Sequence, residues 1–552
     1  MQILSLCRTR TGAATTQWRR RVLPKIRSCN DCYPSNPVCA DKFVASFRYQ
    51  HALPQRKMKI HSSNEKSSWS QATTSISEIR AKTMNVDKGR KMVPEKDELS
   101  RINTFTKYIL NEVPVGQLEV KDVVSIKNAM QIYTQSIRSL NVNKLSGRKR
   151  SVQDTIRSNV SNMEELLERL LVEEHKQRLR KGGKAKVKVN IIIYKYMLEA
   201  LALSVENYSN LNGGLDVAER AESWLRRIEE ASLWRHKNHL KPDAAIYNSC
   251  LLAWSRCDNV NESGRRAEAL LQEMIDKNIE PTVITYNRVI HAWARSGGKV
   301  KAAQAAESLL ETMLTKNSDI TPDRYTWHAV MNAWSWSEDK TSSARIGSLI
   351  NRMMKECDEL GKPDLTTYHI LLNSYAKSGR KDAVKEAEKI LDAFMSGSLD
   401  ITPNTVTFTI ALEILAKSGE RGSASKADAI LRSMLDFSQT NDQVRPNALT
   451  FNVVIDAYAK SRDPKAAYRA EELLCQLEQL YEETNEEDLK PNIVSYTSTI
   501  DAIANSARND SILRAEKIFE RVEKRIAEGD KEFGASIIVH SSLINVSCAF
   551  VE

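Results

Sequence analysis

The chain has 552 residues with 81 Lys or Arg and 70 Asp or Glu, so its formal net charge is +11 at pH 7. Leu, Ala, Glu, Lys, Arg and Ser dominate while Gly (19) and Pro (14) are sparse. This balance favours many short helices and argues against a sandwich, a barrel or a wholly disordered chain. The basic excess fits a polyanionic partner, and it fits a solvated basic surface equally well. No apolar stretch is long enough to span a bilayer, so no membrane insertion is expected.

The first segment, residues 1–60, is predicted to be an organelle presequence with a disordered arm. Its first thirty residues contain seven Arg or Lys and no Asp or Glu, with apolar residues such as Trp18 and Leu23 between them. A cationic, acid-free, amphipathic segment is typical of imported proteins, whereas a secretory signal needs a longer apolar run. The Arg content favours the mitochondrion, with the plastid as the alternative. A basic disordered arm without an import function is the other interpretation.

Residues 61–100 are rich in Ser, Thr, Lys and Glu and are predicted to be a linker. Apolar residues at spacings of three and four then return, so residues 101–188 are predicted to be helical. Degenerate early repeats are one interpretation of this region. The basic stretch 181–188 contains two glycines and is interpreted as a solvated connector rather than a phosphate site.

The cysteines do not indicate a metal site. Cys29, Cys32 and Cys39 have a spacing that zinc could use, but no second CxxC or Cys/His pair follows at finger spacing. From Cys250 onward the cysteines stand singly inside helical patterns and are interpreted as reduced residues. No metal and no cofactor is therefore predicted.

A helix start recurs along the rest of the chain, in which an aromatic residue followed by a polar one opens an apolar stretch. Thr285-Tyr-Asn and Thr367-Tyr-His are two copies, and the leading aromatics are 39 to 45 residues apart. These aromatics are Tyr247, Tyr286, Trp327, Tyr368, Phe408, Phe451 and Tyr496, with a weaker first copy at Tyr194 and a partial last one near His540. We interpret them as core residues and assign them no chemistry.

Each start is followed by a turn, often Ser-Gly as at Ser296-Gly297, and by a second helix with the pattern Ala, Glu, two apolar residues and Met, as in Ala306–Met313. Each unit then closes with a proline, which cannot continue the helix, and the next residue is usually Asp or Asn. The closing prolines are Pro242, Pro281, Pro322, Pro363, Pro403, Pro446 and Pro491.

One such hairpin cannot bury its apolar face alone, so neighbouring units must stack with a continuous core and a concave groove. The predicted fold class is therefore all-α, a right-handed superhelical solenoid of stacked helix-turn-helix repeats. The array is predicted to occupy residues 189–552, with about eight units and a partial one after the last.

These features together resemble the pentatricopeptide repeat family, whose units carry an apolar-apolar-Thr-Tyr-Asn start and a terminal Lys-Pro-Asp. The Trp-Leu-Gly-Tyr pattern of tetratricopeptide repeats is missing. The units here are longer than the family's nominal 35 residues, which puts the curvature and the base spacing in question. The resemblance implies a protein that binds single-stranded RNA, with about one base per repeat read by two or three side chains.

The resemblance also implies which residues read the bases. The residue just after each aromatic, the reading position, faces the base edge, and the residue just after the closing proline, the partner position, assists it. The pairs are Asn248 with Thr282, Asn287 with Asp323, His328 with Asp364, His369 with Asn404, Thr409 with Asn447 and Asn452 with Asn492, and Thr497 holds the reading position of the last full unit. By resemblance, Asn287/Asp323 implies uracil, Thr409/Asn447 adenine and Asn452/Asn492 a pyrimidine. The histidine pairs, and Lys195 with Asp243, lie outside the usual set.

Two further rows follow from the same register. The residue two before the aromatic, the stacking position, would press on base faces, and it is Ile284, Tyr325, Val406, Leu449 or Val494 in five units. Nine residues after the aromatic a cation recurs, at Arg256, Arg295, Lys377, Lys417 and Lys460. We interpret this cation row as contacts to RNA phosphates rather than as solvated charges at helix ends.

The expected function is therefore sequence-selective binding of single-stranded organellar RNA by a monomer, in RNA processing, stabilisation or translation. Accessory proteins of organellar RNA metabolism are further expected partners. No catalytic residue is predicted, because neither an H-x-E with a downstream C-x-x-C nor an acidic nuclease cluster is present. The alternatives are a protein-binding helical scaffold and a truncated form of a family enzyme that has lost its catalytic domain.

Overall fold

The computed structural model describes 96–140, 149–180, 185–208, 214–234, 240–258, 260–297, 299–316, 320–357, 361–378, 382–418, 422–439, 441, 443–461, 463, 465–506 and 510–527. Within these residues every regular element is helical, with nineteen α-helices and one 3₁₀ turn, Glu487–Leu489. The predicted presequence, the three early cysteines, most of the predicted linker and the partial copy near His540 lie outside the described residues. No helix in the described part of the chain is long and apolar enough to cross a membrane.

The helices are α1 Lys96–Asn111, α2 Val120–Ser139, α3 Lys149–Arg180, α4 Ile191–Tyr208, α5 Leu215–Trp234, α6 Ala244–Ser255, α7 Ser263–Asp276, α8 Val283–Arg295, α9 Lys299–Lys316 and α10 Arg324–Trp336. They continue with α11 Ser342–Glu356, α12 Leu365–Ser378, α13 Ala383–Met395, α14 Thr405–Ser418, α15 Ser423–Ser438, α16 Ala448–Ser461, α17 Ala466–Thr484, α18 Ile493–Asn505 and α19 Ser511–Ala527.

From α4 onward, the helices form eight hairpins, each with an even-numbered first helix and an odd-numbered second helix. Every first helix packs against its own second helix and against the first helices of the neighbouring units. Each second helix also packs against the first helix of the next unit. The first helices therefore form a continuous layer along the array. The predicted all-α fold of stacked helix-turn-helix repeats is confirmed within the described residues.

The recurring aromatics form the core between the helices, as predicted. Tyr247, Trp327 and Phe451 are fully buried, and the other leading aromatics are also buried. The small Ala residues of the second helices are buried beside these aromatics, and Met274 and Met313 of the second helices are buried in the same core. The predicted glycine turn is present after α8, where Gly297 has a φ of 71°.

Residues ahead of the predicted array continue the same packing. Helix α2 packs against α4 as the later first helices pack against one another, and α3 packs against α4 as a second helix does. Helix α1 packs on α2 and α3 and begins at Lys96, five residues before the boundary drawn from the sequence. Apolar Val124, 49% exposed, stands where the later first helices carry their reading residue.

Candidate nucleic-acid interface

The partner-position residues are the N-caps of the first helices. Thr282, Asp323 and Asn492 each accept a hydrogen bond from the backbone N–H three residues later, at 3.4, 2.8 and 3.2 Å. Asp364, Asn404 and Asn447 make the same contact. This contact satisfies a backbone donor that the helix itself cannot pair, which explains why Asp, Asn and Thr recur after the closing proline. The caps place these side chains at the exposed end of each first helix.

The structure brings two of the predicted reading pairs into direct contact across unit boundaries. Asn287 Nδ2 donates to Asp323 Oδ1 at 3.0 Å, and Asn452 Nδ2 donates to Asn492 Oδ1 at 3.2 Å. The hydroxyl of Thr326 also donates to Asn287 Oδ1 at 2.6 Å. Each pair therefore combines a side chain from one first helix with the cap of the next.

The two histidine pairs are linked through a threonine. His328 Nε2 lies 2.8 Å from Thr367 Oγ1 and 3.3 Å from Asp364 Oδ1. His369 Nε2 lies 2.8 Å from Thr407 Oγ1. Each threonine hydroxyl also donates at 3.1 Å to the cap, Asp364 or Asn404, so the imidazole, the threonine and the cap form one connected group.

Burial lowers the pKa of both histidines. For His328 desolvation is the largest cause, and the neighbouring Asp364 carboxylate opposes it. For His369 desolvation again lowers the pKa against Asp364. Desolvation disfavours the charged imidazolium, so both rings are neutral at pH 7.

The remaining predicted pairs are not joined by a hydrogen bond between their side chains. The hydroxyls of Thr409 and Thr497 donate to carbonyls of their own helices, at 2.8 Å to Thr405 O and 3.0 Å to Ile493 O. Their oxygen lone pairs remain acceptors. Asn248 Oδ1 is buried and has no hydrogen-bond partner among the described residues.

An orphaned acceptor is also present at Asn452, whose side chain is only 5% exposed and whose Oδ1 has no partner in the described part of the chain. A buried polar atom without a partner costs about 1–3 kcal/mol, so such atoms are rare unless a ligand or water completes them. Two of the three orphaned amide oxygens in the described residues, those of Asn248 and Asn452, occupy reading positions, and the third belongs to Asn128 of α2. The reading positions therefore have hydrogen-bonding capacity that the protein itself does not use.

The stacking positions form a row of exposed apolar side chains beside the reading pairs. Ile284, Tyr325, Val406, Leu449 and Val494 are between 49% and 77% exposed. Each lies two residues before a buried aromatic on the same first helix, so the row repeats once per unit. Large apolar residues recurring on a surface in register provide flat contact area for a planar ligand.

The cation row lies eight residues beyond the reading position, which places it about 12 Å further along each first helix. The two arginines contact protein groups: Arg256 Nη1 donates to Ala202 O at 3.3 Å, and Arg295 Nε donates to Asp258 Oδ1 at 2.8 Å. The lysines are exposed. Desolvation and the neighbouring Lys417 lower the pKa of Lys377.

The sequence reasoning missed the third member of the reading sites, the Thr or Ser just before each aromatic. These residues are buried and connect the cap to the reading residue of the preceding unit, as Thr326, Thr367 and Thr407 do. The signal was present, because the residue recurs in nearly every copy of the helix start. The sequence alone does not show that this residue contacts the neighbouring unit.

The described residues contain no group of three or more His, Cys, Asp or Glu that could hold a metal ion. Cys250 and Cys257 are free and buried, and burial raises the pKa of the Cys257 thiol to about 12. Both thiols are therefore protonated and unreactive at neutral pH.

Comparisons with known proteins identify the repeat. Residues 269–335 and 479–527 match a model described as a pentatricopeptide repeat domain, and residues 449–474 match one described as a PPR repeat. No curated protein sequence matches the chain.

Solved structures of the pentatricopeptide repeat protein PPR10 from maize are among those that match the chain. One is 18% identical and has a TM-score of 0.43, covering 86% of this chain and 64% of its own length. Two others, in complex with an 18-nucleotide psaJ RNA element, are 18% identical with TM-scores of 0.35, covering 88% of this chain and 69% of their own. The chain thus spans about two-thirds of their length.

The family models coincide with hairpins that carry the recurring aromatic start and the closing proline, at α7–α10 and α16–α19. Residues 269–335, 449–474 and 479–527 of this chain are therefore pentatricopeptide repeats.

Proposed function

We propose that the array binds single-stranded RNA and holds about one base per unit at the reading positions. The contact that carries this proposal is the hydrogen-bonded pair between the reading residue of one unit and the cap of the next, at Asn287–Asp323 and Asn452–Asn492. Such a pair presents a donor and an acceptor at a fixed spacing, beside an exposed apolar side chain. That is the combination needed to read a base edge and to stack on its face.

The chemistry of the first pair fits uracil. The Watson–Crick edge of uracil has one N–H donor flanked by two carbonyl acceptors, so Asp323 accepts from the N–H and Asn287 Nδ2 donates to a carbonyl. At Thr409 the hydroxyl proton is used within the helix, which leaves an acceptor for the amino group of adenine. The resemblance assigns the same bases to these two units and a pyrimidine to Asn452/Asn492.

The role that follows is that of a monomeric, non-catalytic protein that occupies a short tract of organellar RNA. Occupying a strand blocks nucleases and unfolds local RNA structure, so processing, stabilisation and translation all follow from it, with accessory proteins supplying further activities. The mitochondrion is the proposed compartment and the plastid the alternative, on the acid-free basic character of residues 1–30.

The test is selection from a pool of random single-stranded RNAs with the full-length protein, with duplex RNA as a control. We expect binding that weakens with salt and an enriched sequence with uracil and adenine three units apart. Asn287→Ala should relax selection at the uracil alone, at a cost of about 1–3 kcal/mol in discrimination. Thr315→Ala, at an exposed polar residue on the second helix α9, is the matched control and should change nothing.

Equal weak binding to every strand, unchanged by Asn287→Ala, would contradict the one-base-per-unit mechanism. Such a result would favour the alternative of a protein-binding scaffold.

A further inference from the structure

The cation row is interrupted in the fourth unit of the array, where Trp336 takes the place of a lysine or arginine. Trp336 lies nine residues after the leading aromatic Trp327, which is the register of Arg295 one unit before and Lys377 one unit after. Its side chain is 44% exposed, although a tryptophan is among the costliest side chains to leave in water. An exposed aromatic between the cations of the third and fifth units needs an explanation other than core packing.

Trp336 borders a cavity of about 380 Å³ at the edge of the array. Arg295 and Asp258, which form an ion pair at 2.7 Å, and Lys299 provide its polar side. Ala294, Ala302 and Ala333 line the rest with small side chains. The cavity therefore combines one aromatic face, a carboxylate, a guanidinium and an ammonium group.

The turns around this cavity are held in an unusual backbone conformation. Lys299 and Glu338 have φ values of 52° and 57°, in the left-handed region that costs a residue with a side chain energy. Lys299 Nζ pairs with Glu338 Oε2 at 3.0 Å, which joins the start of α9 to the segment after α10. This exposed pair spans two segments that lie beside the cavity.

We infer that this cavity holds one base of the bound RNA, stacked on Trp336 and turned away from the reading row. This inference rests on the proposed function and deepens it. A nucleobase supplies a flat face for the indole and polar edge atoms for the Asp258–Arg295 pair, and its phosphate meets Lys299. Base–aromatic stacking needs no particular base, so the site selects a nucleotide rather than a sequence.

The position along α10 supports this assignment. Trp336 lies eight residues beyond the reading residue His328, about 12 Å along the helix axis, so one base cannot contact both side chains. The fourth unit contains both Trp336 and the reading residue His328, which is bound to Thr367. The nucleotide at this unit is therefore anchored by stacking in place of edge reading.

The experiment uses the full-length protein and an RNA from the selection above in which each nucleotide in turn is made abasic. In the wild type, one position near the fourth unit should lose about 10-fold in affinity when abasic. Trp336→Ala should lose about the same with intact RNA and should no longer respond at that position. Trp336→Phe should keep part of the response, and Trp336→Lys should bind with a steeper salt dependence and no response.

Tyr468→Ala, which removes an exposed aromatic from the second helix α17, is the matched control and should behave as the wild type. Free AMP and UMP distinguish the two sources of a base. If either binds at Trp336 without RNA and as tightly as the strand, the cavity is a mononucleotide site and the inference is overturned.

The two proposals fail differently. If RNA binds and Trp336→Ala matches the wild type on intact and abasic strands, the inference is wrong and the proposed function stands. If no RNA binds in a salt-sensitive manner, both are wrong.

Discussion

At two boundaries between units, the capping side chain also contacts the reading residue of the preceding unit. Asp323 caps α10 through its contact with the N–H of Thr326 and also accepts from Asn287 of the preceding unit. Because both contacts use Oδ1, the second carboxylate oxygen remains for a ligand. Asn492 has a single acceptor oxygen, which takes its cap contacts and Asn452 together, so the two caps differ in what they leave for a base.

The buried histidines predict a pH dependence of stability. The folded-state pKa values of His328 and His369 are lowered by burial, while the unfolded value is about 6.5. The unfolded chain therefore takes up protons first as the pH falls below about 6.5, and the free energy of unfolding decreases there. Chemical denaturation at pH 7.5 and 5.5 should show this loss, and His328→Gln with His369→Gln should reduce it.

His175→Gln is the control for this measurement, because His175 is exposed on α3. Carboxylates add their own loss at lower pH, so the difference between variants is the quantity to compare. Equal losses in the wild type and in the double variant would contradict the prediction.

At the level of the element, the Ala-Glu pattern of the second helices has a role that the sequence did not reveal. An acid of one second helix contacts a cation of the next second helix at distances up to 3.1 Å. The acid follows the recurring alanine, or Met163 in α3, and the cation precedes the equivalent alanine, or Ile346 in α11. These pairs, which we call the outer ladder, are Arg220–Glu164, Arg266–Glu222, Arg345–Glu307, Lys426–Glu388, Arg469–Asp428 and Arg514–Glu471. Partly exposed pairs contribute little energy each, so the outer ladder serves mainly to set the register of neighbouring units.

Glycines in two second helices predict opposite effects of the same substitution. Gly347 occupies an acid position of the outer ladder within α11, and a Cβ there would meet open space. Gly347→Ala should therefore stabilise the protein by about 1 kcal/mol through helix propensity. Gly264 in α7 lies against the indole ring of Trp293, where a Cβ would overlap the ring. Gly264→Ala should destabilise by about 1–3 kcal/mol.

Denaturation midpoints of the two alanine variants check this pair of expectations. Each variant serves as the control for the other, since the chemical change is identical. A shift of both midpoints in the same direction would show that the packing at Trp293 does not matter.

At the scale of the whole molecule, the three exposed lysines of the cation row predict the salt dependence of RNA binding. Each phosphate contact on a single strand contributes about 0.7 to the slope of log affinity against log salt concentration. Replacing Lys377, Lys417 and Lys460 with Gln should lower this slope by up to about 2. Lys417 and Lys460 each pair with an acidic residue four residues earlier on the same helix. These acids reduce the charge that the two lysines offer to phosphates, so the decrease in slope should fall short of the full value.

The control is the replacement of Lys355, Lys385 and Lys389, which are exposed on second helices, with Gln. It removes the same total charge from the other side of the hairpins and should leave the slope nearly unchanged. An equal reduction by both triple variants would mean that net charge, and not the cation row, binds the phosphates.

Local sequence determined the parts of this protein that depend on one hairpin. The aromatic start, the capping Asp or Asn and the closing proline each act within a few residues, so the helices, their buried stripes and the all-α fold followed from periodicity. Contacts between units depend instead on how far one hairpin shifts against the next, which varies with turn and helix lengths. Only the tertiary structure therefore decided that Asn287 meets Asp323, that His328 binds Thr367 and that Arg295 turns to Asp258 beside Trp336.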